Sequence, residues 1–301
     1  MSVAKDAADM MILGDDFEAT MRAVMWGRNI YNNVRRFLQF QVTVNFTVLI
    51  FVFIGSATYG KSPLNTVQLL WLNLIMDTLA ALALSTERPA ADIIKIPPIK
   101  KGDTIMTPVM WRQIYGMTIY MVFILTINWF FTEFMWDLPF DMAEDNYKSP
   151  NGKLMEGTNK TKVLTIIFCT FIFMQIFNEI NARKVGAREF NVFIGFFRNF
   201  YFIAVIAITV FLQFVFVEYL WFFFTAYSLT QKQYAASILW GASTIIVSMV
   251  LKVLPEEWMK KLPVFIDENK AADPNDVILS AYNKQANAKV TKRGDDDGVK
   301  P

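Results

Sequence analysis

The run Leu64-Asn-Thr-Val-Gln-Leu-Leu-Trp-Leu-Asn-Leu-Ile-Met-Asp-Thr-Leu-Ala-Ala-Leu-Ala-Leu-Ser85 carries one ionisable side chain, Asp77, in an otherwise uncharged stretch. A bilayer's hydrocarbon core of about 30 Å is crossed by about 20 apolar residues in a helix. The run meets that length, and Asp77 falls near its middle. A carboxylate at that depth costs about 2.5–3.5 kcal/mol by insertion measurements and more by other scales, so it is retained for a reason. The reason is either a functional site or a structural polar contact between helices.

Working outward, five more segments pass the same test: Phe37–Tyr59, Gln113–Met135, Val163–Asn181, Phe200–Phe224 and Tyr234–Leu254. The chain is 54% hydrophobic, against about 45–50% in soluble domains, and the excess is concentrated in these runs. The fold class this implies is all-α, a polytopic helical membrane protein with six transmembrane helices in contact with lipid. Tyr59, Trp71, Trp111, Trp136, Tyr201, Tyr219 and Trp221 lie near predicted ends, where interfacial anchors are expected. Glu133, Glu179, Glu218 and Lys252 also fall close to span ends, within reach of headgroups or water.

Basic residues alternate between the two sides. Arg22, Arg28, Arg35 and Arg36 precede the first span. Arg88, Lys95, Lys100, Lys101 and Arg112 follow the second, and Arg183, Lys184, Arg188 and Arg198 follow the fourth. The opposite loops hold Lys61, then Lys148, Lys153, Lys160 and Lys162 diluted by acids, then Lys232. The positive-inside rule therefore predicts both termini in the cytosol. The first residues have no apolar signal core, so insertion is expected to be directed by the internal segments.

Three regions are expected: 1–36, the end of a cytosolic domain and a stalk helix; 37–254, the six-helix membrane domain; and 255–301, a polar cytosolic tail without fixed structure. Within the first, the pattern predicts a strand at Met10–Leu13, a turn at Gly14-Asp15-Asp16 with the aspartates as caps, then a helix. That helix continues from about Ala19 into the first span with no proline and one glycine, Gly27, as a rigid rod.

The absence of histidine removes the commonest general base and imidazole metal sites, and a single cysteine, Cys169, rules out an internal disulfide. A net charge of +2 gives no basis for a nucleic-acid partner, and none is expected. What remains is oxygen chemistry in the membrane. Asn73 precedes Asp77 by four residues, which puts both on one face of an α-helix. An amide oxygen with a carboxylate is the hard donor set that calcium prefers, in groups of about six to eight at 2.3–2.6 Å. Asn45 in the first span and Gln175 in the fourth supply further amides, either as neighbours of the ion or as interhelical hydrogen bonds.

Several runs carry a family resemblance: Val3-Ala-Lys-Asp-Ala-Ala-Asp9, Ile12-Leu-Gly-Asp-Asp-Phe17, Ala23-Val-Met-Trp-Gly-Arg-Asn-Ile-Tyr31, Phe37-Leu-Gln-Phe-Gln-Val-Thr-Val-Asn45, Gln68-Leu-Leu-Trp-Leu-Asn-Leu-Ile-Met-Asp-Thr-Leu-Ala80 and Gln175-Ile-Phe-Asn-Glu-Ile-Asn-Ala-Arg-Lys184. Together, from residue 3 to about 255, they resemble the C-terminal membrane half of P-type calcium-transporting ATPases of the plasma-membrane, calmodulin-regulated subfamily. The resemblance implies that the six spans are helices 5–10 of a ten-helix pump, in the plasma membrane or an internal calcium-store membrane. It implies calcium as the transported ion, with Asn73 and Asp77 as ligands from the sixth helix and Asn45 from the fifth. Related pumps with two calcium sites use glutamates where this chain has Val48 and Gln175, which implies one calcium per cycle.

The family's Asp-Lys-Thr-Gly phosphorylation motif is not in these residues, nor is its Gly-Asp-Gly-x-Asn-Asp hinge. ATP and Mg²⁺ are therefore implied only for a full-length pump, and the chain is expected to be a fragment whose partner is the missing N-terminal part. The family's calmodulin-binding segment is a basic amphipathic helix after the last span. Here Trp258-Met-Lys-Lys261 is followed by Pro263 and acids, which argues against calmodulin control. Asn159-Lys-Thr161 is a glycosylation sequon too close to the fourth span for ready use, and Ile96-Pro-Pro-Ile99 reads as a turn. The alternatives are a P-type pump for another cation, a channel-like subunit, or a non-catalytic membrane partner of a complete pump. No span has Arg or Lys at every third position, as a voltage sensor would.

Overall fold

The structure, a computed structural model, describes residues 7–8, 11, 17–89, 91–94, 104–136, 159–184, 186, 192, 195–220, 223 and 226–254. The expected strand at Met10–Leu13, the Gly14–Asp16 turn, the Ile96–Ile99 turn, Trp221, the Trp258–Lys261 segment and the tail fall wholly or largely outside these residues. Among the described residues, six helices are long and apolar enough to cross a membrane. They are α1 (Phe17–Tyr59), α2 (Thr66–Ser85), α3 (Pro108–Phe130), α4 (Asn159–Ala182), α5 (Phe200–Glu218) and α6 (Gln231–Val253).

The rod expected at the N-terminal side is present as α1, 43 residues without a break. At 1.5 Å per residue it is about 65 Å long, roughly twice the hydrocarbon thickness, so much of it projects from the bilayer. Where it runs through the bundle its hydroxyls are satisfied along the helix. Thr43 Oγ1 donates to the Gln39 carbonyl and Thr47 Oγ1 to that of Thr43, both at 2.7 Å.

The third span begins earlier than its hydropathy suggests because Pro108 opens the helix. A proline in the first turn loses no hydrogen bond, and its φ suits a helix. It also ends earlier, at Phe130; a separate short helix, Thr132–Trp136, follows. The fifth span stops at Glu218 rather than Phe224. There the Glu218 carboxylate accepts the Tyr234 hydroxyl at 2.8 Å and the Ser228 hydroxyl at 2.6 Å, anchoring the end of α5 to the start of α6.

α4 is the enclosed centre of the bundle, with nearly every side chain from Thr165 to Arg183 buried. Its main neighbour is α6, which turns a face of small and polar residues towards the bundle: Ser237, Gly241, Thr244, Ser248 and Lys252. Small residues let helices approach closely where lipid offers no hydrophobic drive. At Gly241 a Cβ would meet the Phe173 backbone at 3.0 Å and the Phe177 ring at 2.7 Å. Polar bonds fasten the same seam: Thr170 to Ser237 at 3.1 Å and Asn181 Nδ2 to the Thr244 carbonyl at 3.3 Å.

Candidate functional site: a buried carboxylate beside a widened turn

α2 is not uniformly α-helical. Trp71–Met76 form a π turn, and the Asp77 amide donates to the Leu72 carbonyl, one residue further back than in an α-helix. Such turns add a residue to the helix and recur at functional sites. What holds this one is the packing of Trp71 against α5. Trp71, expected at an interface, is buried instead: its Nε1–H donates to Gln213 Oε1 on α5 at 3.2 Å, and its ring meets Phe216 edge-on at 4.2 Å. Gln213 in turn donates to Cys169 Sγ on α4 at 3.6 Å.

Asp77 is the residue that emerges from this turn, and it is 6% exposed. Its Oδ2 accepts a hydrogen bond from Gln41 Nε2 of α1 at 2.6 Å. Asp77 Oδ1 and Gln41 Oε1 are both buried and have no hydrogen-bond partner among the described residues. Since each of these oxygens belongs to a group already in the Gln41–Asp77 bond, the two lie at one locus.

α1 and α2 run antiparallel here: eight residues before Gln41 and eight after Asp77, Asn33 Nδ2 donates to the Ser85 carbonyl at 3.0 Å. Asn45 and Asn73, one turn from Gln41 and Asp77 in the other direction, therefore lie at about one level on neighbouring helices. Both are exposed on the surface of this chain, whereas Asp77 is buried. The expectation that Asn73 and Asp77 share a face assumed a regular α-helix, and the π turn alters their register. Gln175 is fully buried but is directed elsewhere: its Nε2 contacts Met121 Sδ of α3 at 3.5 Å, the sulfur that Thr47 of α1 also approaches, and its Oε1 has no partner among the described residues. The structure thus brings Asp77 together with Gln41; Asn45 and Asn73 lie one turn further along their helices on the exposed surface, and Gln175 contacts Met121 instead.

A second acid was misplaced by sequence reasoning. Glu179, expected to reach water at the end of its span, is 1% exposed, with Oε1 unpartnered among the described residues. It stands one turn beyond Gln175 on α4. Lys252, also placed near water, is buried as well. The signal for Glu179 was its position in the run Gln175-Ile-Phe-Asn-Glu-Ile-Asn181, which has polar residues on more than one face of a helix and so cannot sit at a simple lipid boundary. Gln41 likewise stood one helical turn before Asn45, among the alternating polar residues Gln39, Gln41, Thr43 and Asn45.

Chemically, the locus offers uncommitted amide and carboxylate oxygens in a low-dielectric interior. Buried negative charge of this kind is costly until a cation or proton offsets it. No group of three or more His, Cys, Asp or Glu that could hold a metal is found among the described residues, and the donors at the Asp77 locus are mixed amide and carboxylate oxygens, of the hard kind that calcium takes.

A bundle of six apolar helices with buried acids beside a broken helix defines a polytopic membrane protein with a polar interior. Residues 61–254 match the family described as "Cation transporting ATPase, C-terminus", and the chain belongs to that family. It is 40% identical over 253 residues to "Probable calcium-transporting ATPase 8, plasma membrane-type" of Oryza sativa subsp. japonica, covering 84% of this chain and 23% of that protein. It is 38% identical over 256 residues to "Calcium-transporting ATPase 4, plasma membrane-type" of Arabidopsis thaliana, covering 85% of this chain and 23% of the relative. The chain spans about a quarter of the length of the curated relatives it matches.

Proposed function

We propose that this chain supplies the C-terminal membrane half of an ATP-driven calcium pump of the plasma-membrane type, and contributes part of a single intramembrane calcium site. The observation that carries this reading is the Asp77 carboxylate: buried mid-span behind a π turn, bonded through one oxygen to Gln41, and uncommitted through the other. In the proposal Asp77 is the charged ligand. Asn73 and Asn45 supply neutral oxygens from one level of adjacent helices, and Gln175 lies near the path. The exposure of Asn73 and Asn45 on this chain fits a cage completed by other parts of a longer pump, which would also provide phosphorylation, ATP and Mg²⁺.

Transport follows if α1 moves with phosphorylation and reshapes the surroundings of Asp77, since an ion is carried only when its affinity differs between two states. Both termini are proposed to face the cytosol, on the strength of the basic residues flanking α1, α2 and α4. Calmodulin control forms no part of the proposal, because the segment after α6 carries no sustained basic face.

The test is Asp77→Asn in the full-length pump. The substitution keeps the shape and removes the charge, and calcium-dependent formation of the phosphoenzyme from ATP is expected to be lost. Calcium dependence equal to that of the unaltered pump would remove Asp77 from the site. If sodium or another cation, rather than calcium, triggers phosphorylation of the unaltered pump, the ion assignment fails while the site stands.

A further inference from the structure

Glu87, in the connection after α2, holds two helices at once. Its carboxylate accepts two hydrogen bonds from the Arg183 guanidinium, Nε–H to Oε2 at 3.0 Å and Nη2–H to Oε1 at 2.9 Å. Arg183 sits just beyond the end of α4. It is wholly buried, with its guanidinium 4.8 Å from the centre of the Phe202 ring and 5.5 Å from that of Phe196. The backbone carbonyl of Glu87 faces α1, where it accepts from Asn29 Nδ2 at 2.7 Å and Asn33 Nδ2 at 3.2 Å. Arg28 extends the same seam to the Ile93 and Ile94 carbonyls at 3.0 and 2.9 Å, and Arg36 holds the Asn33 side-chain oxygen at 2.9 Å. One residue of a connecting segment is therefore bonded by its side chain to the end of α4 and by its backbone to the rod.

The chemistry makes the joint stiff. A two-point Arg–carboxylate pair fixes orientation as well as distance. A buried guanidinium deprived of its partner is strongly unfavourable, and the flanking aromatic rings leave it no water to turn to. Burial pushes the Glu87 carboxyl up, but the hydrogen bond and charge of Arg183, with the charge of Arg36, outweigh it and hold the group below the usual glutamate range. Glu87 is thus held as the anion that the pair requires.

We infer that Glu87 is a positioning residue that locks the end of α4 to the rod, so that a displacement of α1 reaches α2 and α4 together. The acids on both of those helices, Asp77 and Glu179, would then move as one response to the rod. The inference concerns the mechanics of this chain and holds whichever cation is carried.

Amide hydrogen exchange on the chain in lipid nanodiscs tests it. In Asn29→Ala/Asn33→Ala, which removes both donors to the Glu87 carbonyl and the Asn33 bond to Ser85 while leaving Glu87 and Arg183 in place, exchange in residues 178–184 of the α4 end is expected to rise about tenfold. In Glu87→Gln the same segment should open by at least that much. In the Glu87→Gln background the asparagine changes should then add nothing further there, because their route to α4 is already cut. Residues 237–248 of α6 serve as the folding control. If Glu87→Gln does not fold, Glu87→Asp replaces it in the cycle, since its shortened carboxylate cannot make both bonds to Arg183. Faster exchange confined to α1 and the connection, with 178–184 unchanged, would overturn the inference, as would an asparagine effect of full size in the Glu87→Gln background.

Discussion

Gln41 donates one end of its amide to Asp77 and keeps the other end unbonded, and this division gives the residue two uses. The donated hydrogen bond orients the carboxylate, and the remaining oxygen adds a donor at the same locus. Replacing it by leucine removes both while keeping the volume roughly constant. Hydrogen bonds to charged groups are worth about 1.5–3 kcal/mol, so Gln41→Leu in the full-length pump should weaken apparent calcium affinity about tenfold or more. Phosphorylation at saturating calcium should survive, because the charge stays. An unchanged calcium titration would reduce Gln41 to a structural contact. At this scale the sequence showed that Asp77 was out of place in an apolar run. It could not show which amide answers it, because Gln41, Asn45, Asn73 and Gln175 are all amides in spans and only packing separates them. Glu179 was misjudged although the end of its span was placed within one residue, because hydropathy cannot show that neighbouring elements cover that end, where Asn181, Ala182 and Arg183 are buried too.

At the scale of elements, α1 was legible because helix continuity depends on local features: no proline and only two glycines, Gly27 and Gly55, in 43 residues. The π turn in α2 was not, since Trp71–Met76 holds nothing that favours a widened turn by itself; the Trp71 contacts with Gln213 and Phe216 on α5 are tertiary. The end of α5 was missed for the same reason, its Glu218 being held by residues of the next element. The α4–α6 seam gives a prediction of its own. Gly241 stands where a side chain would strike the Phe173 backbone, which cannot swing aside as a flexible side-chain end can. Overpacking of this kind costs about 1–3 kcal/mol and a larger residue more. Gly241→Leu should therefore lower the thermal unfolding midpoint of the purified chain in detergent by several degrees at least. A midpoint equal to that of the unaltered chain would mean that the two helices are not in the close contact described.

For the molecule as a whole, six spans and their family were readable from hydropathy and motifs, because membrane insertion and chain length leave few alternatives. What a single chain cannot display is a cage whose walls are shared. Asn45 and Asn73 are exposed here at one level of α1 and α2, beside a carboxylate that is buried, and the proposed site is complete only within a longer pump. The resemblance to pumps that carry glutamates where this chain has Val48 and Gln175 implies one ion per cycle, which is the stoichiometry proposed here. Equilibrium binding of radioactive calcium to the purified full-length pump, normalised to phosphoenzyme, addresses this directly. One calcium per phosphorylation site is expected in the unaltered pump, and none above background in Asp77→Asn at the same free calcium. Two calcium ions per site, or one retained without the Asp77 charge, would contradict it.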